Sequence, residues 1–110
     1  MSEQIAQVTD ADFEDEVLRS GLPVLVDFWA AWCAPCRMIA PVVEEVARDL
    51  NGRVKVVKMD IDANPETPGS LGIMSIPTLI IFKDGQPAGR MVGYRSNLKL
   101  DLKQKLEALL

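Results

Sequence analysis

The run Pro23-Val24-Leu25-Val26-Asp27-Phe28-Trp29 limits the possible folds of this chain more than any other stretch. It is apolar at every position but Asp27, with none of the alternation shown by a strand that has one wet face. A strand that reads this way is covered on both sides. The chain therefore needs helices above and below a sheet, joined by right-handed β-α-β crossovers.

The flanking sequence supplies them. Strands are expected at Ile5–Val8, Pro23–Trp29, Val54–Ile61, Pro77–Phe82 and Gln86–Val92. Asp84-Gly85 predicts a hairpin turn that makes the last two strands antiparallel. Thr9 or Asp10 is placed to cap a first helix, with Phe13, Val17 and Leu18 on one face and an end near Ser20-Gly21. A second helix, from about Cys33 to Leu50, puts Ile39, Val43, Val46 and Leu50 on one stripe and most of its charges opposite. Pro41 inside it predicts a kink. Asn64-Pro65-Glu66 starts a third helix, which Pro68 and Gly69 keep short or irregular. Ser96 or Asn97 opens the last, whose Leu98, Leu102, Leu106 and Leu109 share a face. No linker, repeat or low-complexity tract divides the 110 residues, so one domain, 1–110, is expected.

Composition narrows the chemistry. The chain has no histidine, which removes imidazole bases, Ser-His-Asp and Cys-His pairs, and His-ligated metals. Twelve basic and sixteen acidic residues give a net charge of −4. With no basic cluster, a nucleic-acid partner is not expected. No apolar run approaches the ~20 residues of a membrane span, so no membrane partner is expected either. Met1-Ser2-Glu3-Gln4 lacks the basic-then-apolar pattern of a secretory signal, which points to the cytoplasm.

Both cysteines lie in Trp32-Cys33-Ala34-Pro35-Cys36, between the apolar strand and the long helix. Haem attachment requires a histidine after the second cysteine, and residue 37 is Arg. A zinc or iron–sulfur site needs about four ligands, hence two chains sharing their thiols. A static disulfide would close a tiny loop and add little stability. Beside these stands dithiol–disulfide exchange, which has a physical mechanism. Cys33 at a helix N-terminus meets unpaired N–H groups and the positive end of the macrodipole, which favour a thiolate. An ordinary thiol, with a pKa of ~8.5, is only about 3% ionised at neutral pH, so any lowering raises the reactive fraction. Cys36, one turn on, is placed to attack a mixed disulfide at Cys33 without domain motion.

The segment from Val24 through Trp32-Cys33-Ala34-Pro35-Cys36-Arg37 to Pro41 resembles the active-site segment of the thioredoxin family, the standard example of a tuned Cys-x-x-Cys pair. Ile76-Pro77-Thr78, Phe82-Lys83-Asp84-Gly85 and Val92-Gly93 are similar to the same family in order and spacing. The likeness covers essentially the whole chain. It implies an α/β fold, a central five-stranded mixed β-sheet flanked by four α-helices. It also implies a protein-disulfide oxidoreductase that works as a cytoplasmic monomer. The redox-active Cys33–Cys36 disulfide takes the place of a cofactor. Its partners would be protein disulfides and an NADPH- or ferredoxin-dependent thioredoxin reductase. Two rivals share the fold: an oxidant or isomerase of an export compartment, and a binding module with incidental thiols.

Carried over by residue, the resemblance makes Cys33 the exposed nucleophile and Cys36 the buried resolving thiol. Asp27 becomes the carboxylate behind Cys36, Lys58 its neighbour, and Pro77 a cis-proline facing the disulfide. Trp32, Pro35, Ile76, Val92 and Gly93 would line the docking surface. Ser75 belongs to the substrate-contacting backbone before the proline, and Ala34 and Pro35 tune the potential. Trp29 packs under the site. Independently of the family, a lone carboxylate in an apolar strand is costly unless used or paired. The other reading of Asp27 is a solvated strand-end residue. If it is buried, desolvation raises its pKa and suits it to accept the Cys36 proton through water.

Ala34 stands where the family most often has Gly, Ser75 precedes Ile76, and Tyr94 follows Gly93. Ala exceeds Gly in a helix by ~0.8–1 kcal/mol, but only the part that differs between the oxidised and reduced forms moves the potential. With ~1.4 kcal/mol equal to ~30 mV, Ala34→Gly is expected to shift it by less than ~10 mV. Pro35→Ser, which restores a donor beside Cys33, is expected to shift it more. Equilibration of both variants with a glutathione buffer checks this order, and a larger shift for Ala34→Gly would contradict it.

Overall fold

In the computed structural model, which describes residues 5–110, the apolar run becomes the middle strand of a five-stranded sheet. Met1-Ser2-Glu3-Gln4, on which the expected absence of a secretory signal rests, lie outside the described residues. The strands are β1 (Ile5–Gln7), β2 (Val24–Trp29), β3 (Lys55–Asp60), β4 (Thr78–Lys83) and β5 (Gln86–Val92). The α-helices among the described residues are α1 (Ala34–Asp49), α2 (Glu66–Ser70) and α3 (Leu98–Glu107). The spatial order is β1-β3-β2-β4-β5. β3 runs parallel to β1 and β2, whereas β4 is antiparallel to both β2 and β5. This is the mixed α/β sheet the resemblance implies.

Val24 to Phe28 are all buried because β2 is packed on both faces. Side chains alternate across a strand. Leu25 points to one layer with Ile39, Val43, Val46 and Leu50 of α1 and Leu98, Leu102 and Leu106 of α3. Val24, Val26 and Phe28 point to the other, with Phe13, Val17, Ile80 and Phe82. Phe13 and Phe82 meet edge to face at 5.6 Å between ring centres. Asp27 has the parity of Leu25, so its carboxyl is directed to the α1 side.

Strand ends differ from expectation where proline intervenes. β2 begins at Val24 and β4 at Thr78, each one residue later than expected, because Pro23 and Pro77 have no N–H to give a ladder. Their carbonyls are still used: Pro23 accepts from the Lys55 N–H at 2.9 Å and Pro77 from the Gly93 N–H at 2.9 Å. At the hairpin, Asp84 (φ 53°) and Gly85 (φ 79°) both take the left-handed conformation of a type I′ turn.

The first of the four helical segments is not an α-helix. Glu14–Leu18 form a π-helical turn, closed by the Arg19 N–H donating to the Glu14 carbonyl at 2.9 Å. The wider winding places Phe13 and Val17 together on the sheet. Its N-cap position is Phe13, with no side-chain cap, so neither Thr9 nor Asp10 caps it, and Thr9 instead closes the turn before it. The Thr9 N–H donates to Asp12 Oδ1 at 2.6 Å, and Thr9 Oγ1 accepts from the Asp12 N–H at 3.3 Å. Asp10 instead reaches across the chain to α2, which has no side-chain cap of its own. Its two carboxylate oxygens accept from the Glu66 and Thr67 N–H groups at 3.1 and 2.8 Å. The Thr67 hydrogen bond holds the Asp10 carboxyl below the usual carboxylate range. Long α1 runs unbroken through Pro41, which lies on its exposed side.

Leu106 is fully buried between α3 and the sheet, whereas Leu109 only flanks that cluster. Leu106→Ala is expected to lower stability by about 2–5 kcal/mol and Leu109→Ala by clearly less. Urea midpoints check the pair, and equal losses would show that α3 docks by another face.

Candidate functional site

The C-terminal end of β2, the Ala30–Trp32 loop and the first turn of α1 meet beyond the carboxyl end of the sheet's middle strand. In α/β sheets the crevice beyond the strands' carboxyl ends is where reactive groups gather. Here both cysteines sit in that position. Cys33 is the N-cap of the 16-residue α1, and its Sγ accepts from the Cys36 N–H at 3.1 Å. That is the contact an N-cap side chain makes with an otherwise unpaired donor, and it favours negative charge on sulfur. Ala34 and Pro35 fill the first helical positions and face solvent. Pro35 is tolerated because its missing N–H would have no helical partner.

Cys33 and Cys36 form a disulfide with their Cα atoms 5.3 Å apart. The exposure expected for Cys33 is not found in this state: Cys33 is 3% and Cys36 5% exposed. The bonded sulfurs cover one another, and Ala30, Trp29, Ile61 and Ile76 pack around them.

A cavity of about 180 Å³ connects Cys36 with Asp27 and Lys58, walled by Trp29, Arg37 and Ala40. Asp27 is 1% exposed, so it is not a solvated strand-end residue. Among the described residues its Oδ1 has no hydrogen-bond partner. Burial pushes its carboxyl up from 3.8 to about 7, and the charge of Lys58 opposes that rise. Lys58 is the register partner of Asp27 on β3. Among the described residues no ion pair joins the two, and Lys58 Nζ lies 5.2 Å from the centre of the Trp29 ring. Indole Nε1 of Trp29 is buried and, among the described residues, has no hydrogen-bond partner. Desolvation therefore dominates the carboxyl, with a lysine close enough to moderate it.

On the other side, Trp32, Ser75 and Ile76 share a groove of about 350 Å³ with Ile61, Ile73 and Met74. Trp32 is 67% exposed, and its indole Nε1–H donates to Asp62 Oδ2 at 2.9 Å. The Ile76–Pro77 peptide bond is cis and Pro77 is buried. Thr78 Oγ1 donates to the Ser75 carbonyl at 2.6 Å. Val92 and Gly93 line neither cavity. They join the site through the Gly93–Pro77 hydrogen bond, with Gly93 in the left-handed region (φ 82°).

Three residues that sequence reasoning did not assign belong to this region. Asp62 holds the Trp32 indole, Arg37 Nη1 donates to the Ala31 carbonyl at 2.7 Å, and Met74 borders the groove. Only Met74 left a signal: Ile73-Met74-Ser75-Ile76 is unusually apolar for a connection. Among the described residues no cluster of three or more acidic or thiol groups is placed to hold a metal, and no helix is long and apolar enough to cross a membrane.

A family model described as thioredoxin matches residues 4–108. The thioredoxin of Pseudomonas aeruginosa is 55% identical over 100 residues, covering 91% of this chain and 93% of that protein. Thioredoxin 1 of a Nostoc species is 56% identical over 102 residues, 93% and 94% of the two chains. The thioredoxin of Rickettsia bellii is 58% identical over 88 residues, 80% and 84% of the two.

A carboxyl with its folded pKa near 7 and its unfolded pKa near 3.8 binds more protons folded than unfolded between those values. Its contribution is thus neutral in acid, turns unfavourable as pH rises from about 4 to 7, and reaches roughly 4 kcal/mol above that. Asp27→Ala is expected to be more stable than the parent at about pH 8 and to lose that advantage by about pH 4. Denaturant unfolding at both values tests this. A pH-independent difference would mean that the carboxyl titrates normally.

Proposed function

The chain belongs to the thioredoxin family and is a thiol–disulfide oxidoreductase, and from that membership we propose which side chain performs each step. Cys33 attacks as the thiolate. Its sulfur bonds to one sulfur of a protein disulfide, that disulfide breaks, and the second target sulfur leaves as a thiolate and takes a proton. The target is then joined to Cys33 in a mixed disulfide. Cys36 gives its proton to the Asp27 carboxylate across the cavity and attacks Cys33 Sγ. The intermolecular bond breaks, and the target leaves with both thiols reduced. Two electrons have moved to the target, and they are restored when a reductase reopens Cys33–Cys36.

The observation that carries this assignment is the asymmetry of the pair. Cys33 is the helix cap, whereas Cys36 borders the cavity that holds Asp27. A base with a pKa of about 7 is matched to a proton transfer near neutral pH. Lys58 supports its ionised form, and through Asp27 acts as a positioning residue. Trp32, Ser75, Ile76, Val92 and Gly93 receive the target chain beside Pro77, and Ala34 and Pro35 adjust the potential. Family membership implies protein disulfide substrates and a reductase partner. The finer reading is a monomeric single domain, 1–110, of the cytoplasm, served by a thioredoxin reductase and needing no bound cofactor. The thioredoxin relatives do not favour the export-compartment oxidant or the non-catalytic module.

In an insulin-reduction assay driven by dithiothreitol, Cys33→Ser is expected to abolish the catalysed rate. Cys36→Ser is expected to accumulate a mixed disulfide with the target at Cys33, which mass spectrometry detects. A target attached at neither position, or catalysis that survives Cys33→Ser, would contradict the assigned roles.

A further inference from the structure

Asparagine is chemically labile where the next backbone nitrogen can reach its side-chain amide, and the chain has three: Asn51, Asn64 and Asn97. The fold treats them differently. Asn64 precedes Pro65, whose nitrogen has no proton to lose. Its amide is also held at both ends, Oδ1 by the Asp10 N–H at 2.9 Å and Nδ2 by the Asp60 carbonyl at 3.2 Å. Asn97 precedes Leu98, whose side chain is fully buried and whose N–H donates to the Arg95 carbonyl at 3.2 Å. Asn51 precedes Gly52, and both are exposed in the turn that joins α1 to β3. The hydrogen bonds that close this turn bracket the pair. The Leu50 carbonyl accepts from the Arg53 and Val54 N–H groups, each at 3.0 Å, and the Asn51 N–H reaches the Arg48 carbonyl only at 3.5 Å. Among the described residues no backbone hydrogen bond engages the Gly52 N–H. Gly52 has a φ of 86°, and nothing lies within 4 Å of the place a Cβ would take, so that side of the peptide is open.

We propose that Asn51 is a site of spontaneous modification, at which the Gly52 nitrogen closes on the Asn51 amide and turns the α1–β3 joint into isoaspartate. The Gly52 nitrogen gives its proton to hydroxide and bonds to Asn51 Cγ. The Cγ–Nδ2 bond breaks, and that nitrogen takes up a proton and leaves as ammonia. Water then opens the cyclic imide. Attack at the main-chain carbonyl carbon breaks its bond to the Gly52 nitrogen, so the backbone runs on through Cβ and Cγ as isoaspartate. Attack at Cγ leaves an ordinary aspartate. Both products add a negative charge at the C-terminal end of α1, where the macrodipole disfavours one. They place it beside Asp49, which already pairs with Lys99 and Lys103. Isoaspartate also adds a carbon to the backbone between the Leu50 carbonyl and the N–H groups that close the turn. Cys33 lies at the opposite end of the 16-residue helix, so stability changes and exchange at the disulfide does not.

The oxidised protein and a synthetic peptide of the Arg48–Lys55 sequence, aged together in neutral buffer, test this by ammonia release and by mass spectrometry of tryptic fragments. The Asp49–Arg53 fragment of the folded protein is expected to convert within about tenfold of the free peptide's rate, because an exposed turn reacts without global unfolding. The fragments that carry Asn64 and Asn97 are expected to stay unchanged over the same time. Asn51→Gln is expected to release no ammonia. Protein isoaspartyl methyltransferase is expected to label the Asp49–Arg53 fragment of the aged parent. Asp84-Gly85 can cyclise as well, but it loses no ammonia and lies in a different fragment. The converted protein, isolated by anion exchange, is expected to melt below Asn51→Asp, since only isoaspartate lengthens the turn, and to reduce insulin at the parent's rate. Conversion slower than the tenfold bound, earlier conversion at Asn64 or Asn97, or a converted protein as stable as Asn51→Asp would overturn the proposal.

Discussion

Everything in this molecule depends on β2 being sealed on both faces. The seal requires two layers of helical packing, which α1 and α3 provide on one side and the π-helical turn with its aromatic neighbours on the other. It also desolvates the Asp27 carboxyl. A carboxylate in such a place is disfavoured by several kcal/mol unless it is paired, and among the described residues its Oδ1 has no hydrogen-bond partner. The burial that stabilises the sheet is therefore the same burial that raises this carboxyl to about 7. Core packing and acid–base tuning are one effect seen at two residues, Leu25 and Asp27, a single pleat apart.

The disulfide stands between two unlike environments. Cys36 borders a cavity shared with the Asp27 carboxyl and Lys58, while Ile76 links the pair to a groove with Trp32 and Met74. In the proposed cycle, protons are exchanged on the first side and polypeptide is received on the second. The helix cap fixes which cysteine serves which side. Cys33 accepts the Cys36 N–H and so occupies the position where a sulfur anion is best supported. The proposed division of roles between two thiols of the same chemistry thus follows from placement alone.

The strands, the long α1 and the hairpin were legible in the sequence because each carries a local signature: an unbroken apolar run, a stripe at helical spacing, an Asp-Gly turn. The π-helical turn was not. Phe13, Val17 and Leu18 fit an α-helical face nearly as well as a π-wound one, and contact with the sheet makes the choice. The role of Asp10 was also hidden, since its partners are the N–H groups of Glu66 and Thr67, far along the chain. At the site, Cys33, Cys36 and Asp27 stood out through residue type and surroundings. Asp62 and Arg37 act through single hydrogen bonds that only the folded loops create. The exposure expected of Cys33 failed because the closed bond lets the two sulfurs shield each other.

The central claim is that desolvation beneath the disulfide, moderated by Lys58, sets the proton affinity of Asp27. The most direct measurement is a titration of the Asp27 carboxyl carbon by NMR in the oxidised protein, in which the thiols do not titrate. The account predicts a midpoint at about 7. A midpoint at the ordinary aspartate value, near 3.8, would contradict it.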